Sequence, residues 1–282
     1  MRTFLPVLLV TLVVASAGAQ GSSPAVATAA AALEDAQRAF YNARYEAAAN
    51  VTLGACSAAP DGLAACELRT AALLFQIKRA LGTPSDKEKA WKQCVACPAL
   101  MADFHAALAR GQALARARLQ THPDDVATLF LLGKLDLNYV WLQLGTVGRK
   151  TGWSEYWEAR RALDKVLKSN PEHVRARVAR GWIDYIVDTK MPRGTRWLLG
   201  GGNRKRGLLA VRQAADAQAD FFTRAEARFA LWDMQVRERE VPGAVATARM
   251  LARDFPENPE LRKFLTAHNS AALVNSPAGR AP

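Results

Sequence analysis

Two stretches, Ala159–Glu172 (ARRALDKVLKSNPE) and Ala244–Glu257 (AVATARMLARDFPE), decide the fold because they repeat one spacing of residue types. Small or apolar side chains stand at offsets 0, 4 and 7, and a proline follows at offset 12. Steps of three and four residues place side chains on one face of an α-helix, and proline does not continue a helix. Each stretch is therefore predicted to be a helix that packs through this face and ends before its proline.

Turn signals separate further helical stretches from Ala31 onward. They are the clusters Pro60-Asp61-Gly62, Gly82-Thr83-Pro84, His122-Pro123-Asp124, Asn170-Pro171-Glu172 and Asn258-Pro259-Glu260. In Asn-Pro-Glu, asparagine caps the next helix, proline fits its first position, and glutamate lies at the positive end of its dipole. Alanine is abundant and Val/Ile/Thr alternation is nearly absent, so the composition also favours an all-α fold.

The repeated spacing resembles the second helix of a tetratricopeptide repeat (TPR), a unit of about 34 residues. Leu132-Gly133 and Gly181 match the family's first helix, and Arg228–Pro256 fits one unit without a gap. The resemblance covers roughly residues 124–265. It implies an all-α, TPR-like α-solenoid of antiparallel helix pairs with extended central helices.

The chain is accordingly divided into four parts. They are a signal peptide (1–19), degenerate N-terminal helical repeats with cysteines (20–123), TPR-like repeats with insertions around Gly145–Ser154 and Met191–Arg206 (124–268), and a disordered tail (269–282). In the N-terminal part, Tyr45 to Pro60 is interpreted as a degenerate second helix whose proline is out of register.

The first nineteen residues have the features of a cleaved signal peptide. Arg2 precedes the apolar run Phe4–Val14, and Ala17-Gly18-Ala19 has the small-x-small form that signal peptidase accepts. This run is shorter than the roughly 20 residues that a bilayer crossing needs. We therefore expect cleavage near Ala19, a periplasmic or secreted location and no transmembrane helix in the mature chain.

The most apolar helix is predicted over Val126–Gly145. It is apolar nearly all round, which is typical of a helix buried in protein or in a membrane. Lys134 and Asp136 fall at its centre, where each ionised group would cost roughly 2.5–3.5 kcal/mol in a bilayer. Burial inside the solenoid is therefore the prediction.

The chain is basic, with a formal net charge of +12. Between Lys134 and Arg212 it has 17 Lys/Arg against 7 Asp/Glu, a difference of +10, so the excess lies in the central third. Such a field attracts polyanions. For an exported chain this indicates an anionic lipid or polysaccharide as a partner beside an envelope protein or peptide, and not nucleic acid. The alternative is a set of solvated helix faces with surplus arginine.

In TPR proteins, the first helices of successive units line a concave groove that binds peptides or other ligands. By register, the groove positions of this sequence are Phe130, Lys134, Arg175, Trp182, Tyr185, Phe229 and Asp233. Aromatic side chains bury much area at low entropic cost, so this set suits a peptide or an amphipathic ligand. The alternative is that these aromatic residues fill space beneath the insertions.

Four cysteines are predicted to form disulfides because the chain is expected to be exported. Cys56 and Cys66 flank the turn at Pro60, and Cys94 and Cys97 are near enough to pair with each other. All three connectivities stay open. A C-x-x-C pair also suits thiol–disulfide exchange, although no βαβ pattern surrounds this one.

The segment Gly200–Gly207 (GGGNRKRG) has the composition of an anion cradle. Glycine N–H groups at a helix entrance, with three cations beside them, suit a phosphate or carboxylate. The predicted anion-binding residues are Gly201, Gly202, Arg204, Lys205 and Arg206. The alternative is a flexible turn before the next helix.

No set of residues predicts catalysis. The four histidines, His105, His122, His173 and His268, lack metal-ligand spacing, so neither a metal nor another cofactor is expected. Acid pairs such as Glu155 and Glu158 lie beside many arginines and are explained by ion pairing. The sequence therefore predicts a non-catalytic binding scaffold of the periplasm or cell envelope.

Two other functions stay open. Pro192–Gly202 is similar to the periplasmic TRAP-transporter T-component family, whose repeat fold encloses an apolar ligand cavity, and this resemblance implies a small-molecule receptor. The other is a thiol–disulfide oxidoreductase that uses Cys94 and Cys97.

Overall fold

The computed structural model describes residues 24–58 and 62–274, and these residues form helices and connections without a β-strand. The helices are α1 (Pro24–Tyr41), α2 (Tyr45–Ala58), α3 (Leu63–Leu81), α4 (Lys87–Gln93), α5 (Cys97–Thr121), α6 (Val126–Val140), α7 (Trp153–Ser169), α8 (Val174–Lys190), α9 (Arg204–Asp216), α10 (Phe221–Arg237), α11 (Val241–Asp254) and α12 (Pro259–Val274). A π-helical turn, Trp141–Val147, follows α6, and a 3-10 helix, Arg193–Leu199, follows α8. The predicted signal peptide, residues 59–61 and residues 275–282 of the predicted tail lie outside the described residues.

Neighbouring helices pack in antiparallel pairs, which confirms the predicted all-α, TPR-like solenoid. Helices α1, α3, α6, α8 and α10 form an inner row, and α2, α5, α7, α9 and α11 form an outer row. The most extensive contacts join α2 to α3, α6 to α7 and α8 to α9. The inner helices α3, α6 and α8 each end near the start of the outer helix on which they pack. The connections that run from an inner to an outer helix therefore lie along one edge of the solenoid.

Small and apolar residues at the repeated offsets hold the outer helices against the inner ones. In α7 and α11 the fully buried positions are Ala159, Leu163, Val166, Ala244, Ala248 and Leu251. Gly133 of α6 lies so near α7 that an added Cβ would be 3.1 Å from Leu163 Cγ. The resemblance therefore predicted the contact face of these two helices correctly.

A similar spacing recurs in three further outer helices, of which only α2 was predicted as a degenerate copy, and in α5 the third position is a charged residue. The offsets 0, 4 and 7 fall on Ala48, Thr52 and Ala55 in α2, Gly111, Ala115 and Arg118 in α5, and Gly207, Val211 and Ala214 in α9. Counted from Ala48, which is fully buried, Pro60 stands at offset 12 and is in register, contrary to the prediction. Glycine replaces alanine at the closest approach, since a Cβ on Gly207 would lie 2.5 Å from the Gly181 carbonyl oxygen.

Helix α6 is buried in protein, as predicted, and its polar side chains contact neighbouring helices. Asn138 Nδ2 donates to Thr70 Oγ1 at 3.0 Å, and Gln112 Nε2 donates to Asp136 Oδ1 at 2.7 Å. Asp136 itself is fully buried. Over residues 24–58 and 62–274, none of the helices combines the length and the apolar character that a bilayer crossing requires.

The two ends of the solenoid are in contact, which was not predicted. The Tyr41 ring at the end of α1 stacks on Phe229 of α10 with centroids 5.3 Å apart. Asn258 Nδ2 donates to the Tyr41 carbonyl at 2.7 Å, and the Glu257 N–H donates to Asn42 Oδ1 at 3.2 Å. The first helix pair therefore closes against the last.

Two disulfides join cysteines that are near in sequence. Cys56 of α2 is bonded to Cys66 of α3, and Cys94 is bonded to Cys97 at the start of α5. This selects one of the three connectivities that the sequence left open.

Candidate binding site on the concave face

Four inner helices each contribute a charged side chain to one cluster on the concave face. Lys134 of α6 pairs with Glu226 of α10 at 2.6 Å and with Glu67 of α3 at 3.8 Å. Arg175 of α8 pairs with the same two carboxylates, at 2.5 Å and 3.7 Å. We call Glu67, Lys134, Arg175 and Glu226 the concave charge cluster. Its two cations and two anions balance, and they join helices far apart in sequence.

Burial makes the pairing in this cluster important. Burial alone would raise the pKa of Glu226, but the charges of Arg175 and Lys134 outweigh it and hold this pKa at about 2. Burial alone would lower the pKa of Arg175, but Glu226 and Glu67 raise it above its usual value. Both groups are therefore ionised at neutral pH, and removal of one would leave a buried charge without its partner.

Phe130 lies behind the cluster. The Arg175 guanidinium is 4.8 Å from the centre of the Phe130 ring, and the His173 ring is also 4.8 Å away. Because Phe130 is buried, its contact with Arg175 positions that cation and leaves the phenyl ring little surface for a partner.

A second group of predicted residues lies further along α8 and α10. The Arg237 guanidinium is 5.5 Å from the centre of the Trp182 ring and donates to Asp233 Oδ1 at 3.0 Å. Tyr185 is buried, and its hydroxyl donates to Glu238 Oε1 at 2.8 Å. Burial, with the Glu238 carboxylate, raises the pKa of Tyr185 to about 12, which keeps its hydroxyl protonated. Arg237, which was not predicted, therefore joins Trp182 to Asp233.

Phe229 belongs to a third group, at the contact between the two ends of the chain. Beside its stacking on Tyr41, the Phe229 ring lies 5.7 Å from the Phe255 ring. A recess of about 190 Å³ opens next to these rings. It is lined by Gln37, Tyr41, Arg175, Asp220, Phe222 and Thr223.

The seven predicted groove residues thus fall into these three neighbouring groups along the inner helices. Phe130 and Tyr185 are buried, and the other five are partly exposed. Glu67, Glu226 and Arg237 complete the groups. The sequence alone does not distinguish a glutamate or arginine that faces a groove from one that faces solvent. Only the spacing of Glu226, Phe229 and Asp233, which places them on one face of α10, could have indicated this surface.

The predicted anion-binding loop already contacts carboxylates of the protein. The Arg204 N–H donates to Asp188 Oδ2 at 2.8 Å, and the Arg204 guanidinium pairs with Glu238. Arg206 pairs with Asp184 at 2.9 Å. The helix entrance and two of the three cations are therefore engaged with side chains of α8 and α10.

The glycines of this loop have a packing role. A Cβ on Gly202 would lie 2.6 Å from the Asp188 backbone nitrogen, so the loop passes close to α8. Gly201 has a φ of +74°, a conformation that favours glycine. Lys205 is exposed and has no ion-pair partner among the described side chains.

No protein-family model matches this sequence, and no curated protein matches it. Among solved structures, the chain is similar to a thermophilic TPR protein of Thermus thermophilus. The two share 14% sequence identity over 84% of this chain and 97% of that one, with a TM-score of 0.46. The assignment of the fold rests on the helix pairing described above.

Proposed function

We propose that this protein is a non-catalytic binding scaffold of the periplasm or cell envelope, which recognises a protein or peptide through its concave face. A TPR-like fold suits protein interaction in general. The observation that carries the proposal is the convergence of charged and aromatic side chains from α3, α6, α8 and α10 on one face.

The chemistry of that face suits a peptide of mixed character. The partly exposed rings of Trp182 and Phe229 can bury apolar side chains, while Arg175 and Arg237 can bind carboxylates or backbone carbonyls. The pairing of Arg175 with Glu226 holds that cation in place before a partner arrives. Preorganisation of this kind lowers the entropic cost of binding.

A capture experiment with a matched control tests the proposal. Immobilised wild-type protein should retain an envelope protein or peptide, and Trp182→Ala should reduce its recovery by about tenfold, as expected for an aromatic hot spot. Met250→Ala is the control, because Met250 is 42% exposed on the outer helix α11. Equal recovery by wild type and Trp182→Ala, with both proteins folded by circular dichroism, would remove support for this face.

The expected location has its own test. Cell fractionation followed by mass spectrometry of the N-terminus should find the protein outside the cytoplasm with Gln20 near its first residue. A chain that retains residues 1–19 in the cytoplasm would contradict export.

The second candidate is a small-molecule receptor, which would use the recess beside Tyr41 and Phe222. The similarity of Pro192–Gly202 to the TRAP-transporter T-component family supports the same candidate. Native mass spectrometry of the purified protein distinguishes the two. A co-purifying small molecule that is lost in Phe222→Ala would favour the receptor, and its absence together with a captured peptide would favour the scaffold.

A thiol–disulfide oxidoreductase is the third candidate, on the basis of the Cys94–Cys97 disulfide alone. Cys97 is fully buried, and an exchange reaction needs an accessible sulfur, so Cys94 would have to be the attacked atom. Insulin reduction by the wild type that disappears in Cys94→Ser would support this enzyme. An inert wild type would support the non-catalytic proposal.

A further inference from the structure

Three insertions lengthen the inner-to-outer connections on the same edge of the solenoid. They are residues 82–96, which include α4, residues 145–154, and residues 191–206, which include the 3-10 helix. Lys87 Nζ in the first donates to the Gly145 carbonyl in the second at 2.6 Å. Tyr156, just after the second, donates to the Leu199 carbonyl in the third at 2.8 Å. The first two segments are therefore in contact, and the third is anchored on α7 directly after the second; we call the three segments together the insertion edge.

The insertion edge carries much of the positive charge of the chain. Its three segments have ten Lys/Arg and two Asp/Glu, a difference of +8. Arg196, Arg204 and Arg206 pair with carboxylates of α8 and the end of α10, which leaves a surplus of +5 against +12 for the whole chain. Lys150, Arg193 and Lys205 are exposed, and none of them has a hydrogen-bond or ion-pair partner through its side chain within residues 30–57 and 62–268. These cations remain available to an external anion.

Large apolar side chains protrude from the same edge. Trp197 is 72% exposed and Leu198 is 53% exposed, side by side in the 3-10 helix. Val95 in the first segment and Trp153 in the second are exposed as well. Single exposed apolar residues are ordinary, but four on one strongly basic edge form a pattern.

The segment that presents Trp197 and Leu198 is held firmly to α7. Leu199 is buried, and its carbonyl accepts hydrogen bonds from Tyr156 and Arg160, each at 2.8 Å. Arg160 also donates to the Gly200 carbonyl at 2.8 Å. The tryptophan and leucine are therefore displayed by an anchored segment, and the contacts that anchor it leave them in solvent.

We propose that the insertion edge docks the protein on the surface of a bilayer that contains anionic lipids. Tryptophan is favoured at the boundary between headgroups and acyl chains, and lysine and arginine near it bind the negative headgroups. This combination of charge and exposed apolar side chains is complementary to an anionic bilayer. A second copy of this chain would instead bring two positively charged edges together.

Flotation with lipid vesicles tests this docking. The full chain should float with vesicles of phosphatidylcholine and phosphatidylglycerol, and should remain unbound with phosphatidylcholine alone. The double variant Trp197→Ser/Leu198→Ser should lower the partition coefficient by about tenfold or more, because the apolar area that inserts is lost. The double variant Arg193→Gln/Lys205→Gln should lower it too and reduce its dependence on salt.

The control is Leu53→Ser, since Leu53 is 47% exposed on α2, which packs on α1, α3 and α5 away from the insertion edge. All proteins carry the same N-terminus, so lipid binding by any other segment contributes equally. Equal partition of wild type and Trp197→Ser/Leu198→Ser would overturn the proposal. The wild type could instead fail to bind vesicles and self-associate with rising concentration in analytical ultracentrifugation. If Trp197→Ser/Leu198→Ser abolished that self-association, the edge would be assigned to a second copy of the chain.

Discussion

Replacing Asp136 by asparagine should stabilise the protein, and more so as the pH rises. Asp136 is fully buried in α6, and only its Oδ1 accepts a hydrogen bond, from Gln112. Its Oδ2 has no partner among the described residues. Burial raises the pKa of Asp136 from its usual 3.8 to about 8, although the Gln112 hydrogen bond opposes the shift. Asparagine keeps the shape and the acceptor without the charge.

The size of the stability difference between Asp136→Asn and wild type follows from this pKa. Because the folded-state pKa lies above the unfolded one, the favourable contribution is complete below about pH 3.8 and is lost as the pH rises towards 8. Each pH unit in this window removes about 1.4 kcal/mol from the free energy of unfolding. From pH 5 to pH 7, the wild type should therefore lose about 3 kcal/mol that Asp136→Asn keeps.

Urea unfolding followed by circular dichroism at pH 5, 6 and 7 measures this difference. The gap between Asp136→Asn and wild type should widen by about 3 kcal/mol over the series. Asp35→Asn is the control, since it removes an exposed carboxylate of α1 by the same substitution. A gap for Asp136→Asn that does not change with pH would show that this carboxyl group is not held protonated in the fold.

Three other predictions concern stability and use the same urea assay. Glu226→Gln should cost about 3 kcal/mol at pH 7, because Glu67 alone would then face two cations and one positive charge of the cluster would be uncompensated. The loss should shrink as the pH falls from 4.5 towards 2, where the wild-type carboxylate is itself protonated. Gly207→Ala should lower the free energy of unfolding by about 2 kcal/mol, because its Cβ would overlap the Gly181 carbonyl. Its control, Gly54→Ala, has open space around it and should raise the free energy of unfolding by about 0.5–1 kcal/mol. Cys56→Ala/Cys66→Ala should cost about 3 kcal/mol, since that disulfide closes a loop with a sequence separation of 10. Stabilisation by Gly207→Ala, or no change in either other variant, would contradict the corresponding packing, pairing or cross-link.

Much of the fold follows from local signals that act over a few residues. Asn258 accepts hydrogen bonds from the N–H groups of Glu260 and Leu261, as a cap at the start of α12 should. The repeated offsets predicted the buried face of α7 and α11. The copies in α5 and α9 were missed because Gly111 and Gly207 replace the expected alanine, and the latter follows a long insertion. The α5 copy also has Arg118 at the third position, and the α9 copy has Ala219 where the proline is expected, so neither matches the full pattern.

The candidate site depends on contacts that no local pattern encodes. Register placed Lys134 and Arg175 on the inner face, but their partner Glu226 is 92 and 51 residues away in sequence. The contact of Tyr41 with Phe229 depends on the curvature of the whole solenoid, which sums small rotations between helix pairs. The sequence of one repeat does not predict this accumulated rotation.

The glycine-rich loop shows the same limit in another form. Its composition suits an anion, and anions do bind it, but they are carboxylates of this chain. Asp184 and Asp188 precede the loop on α8, while Glu238 follows at the end of α10. The packing of α8, α9 and α10 brings these carboxylates to the loop, and binding of an external anion there stays a prediction.

Site-specific photo-crosslinking in cells tests most directly whether the concave face is the working surface. A photoreactive phenylalanine analogue would replace Trp182 on the inner row or Met250 on the outer row. We expect a discrete covalent adduct with an envelope protein or peptide from position 182 and none from position 250. Adducts from position 250 alone, or equal adducts from both positions, would contradict it.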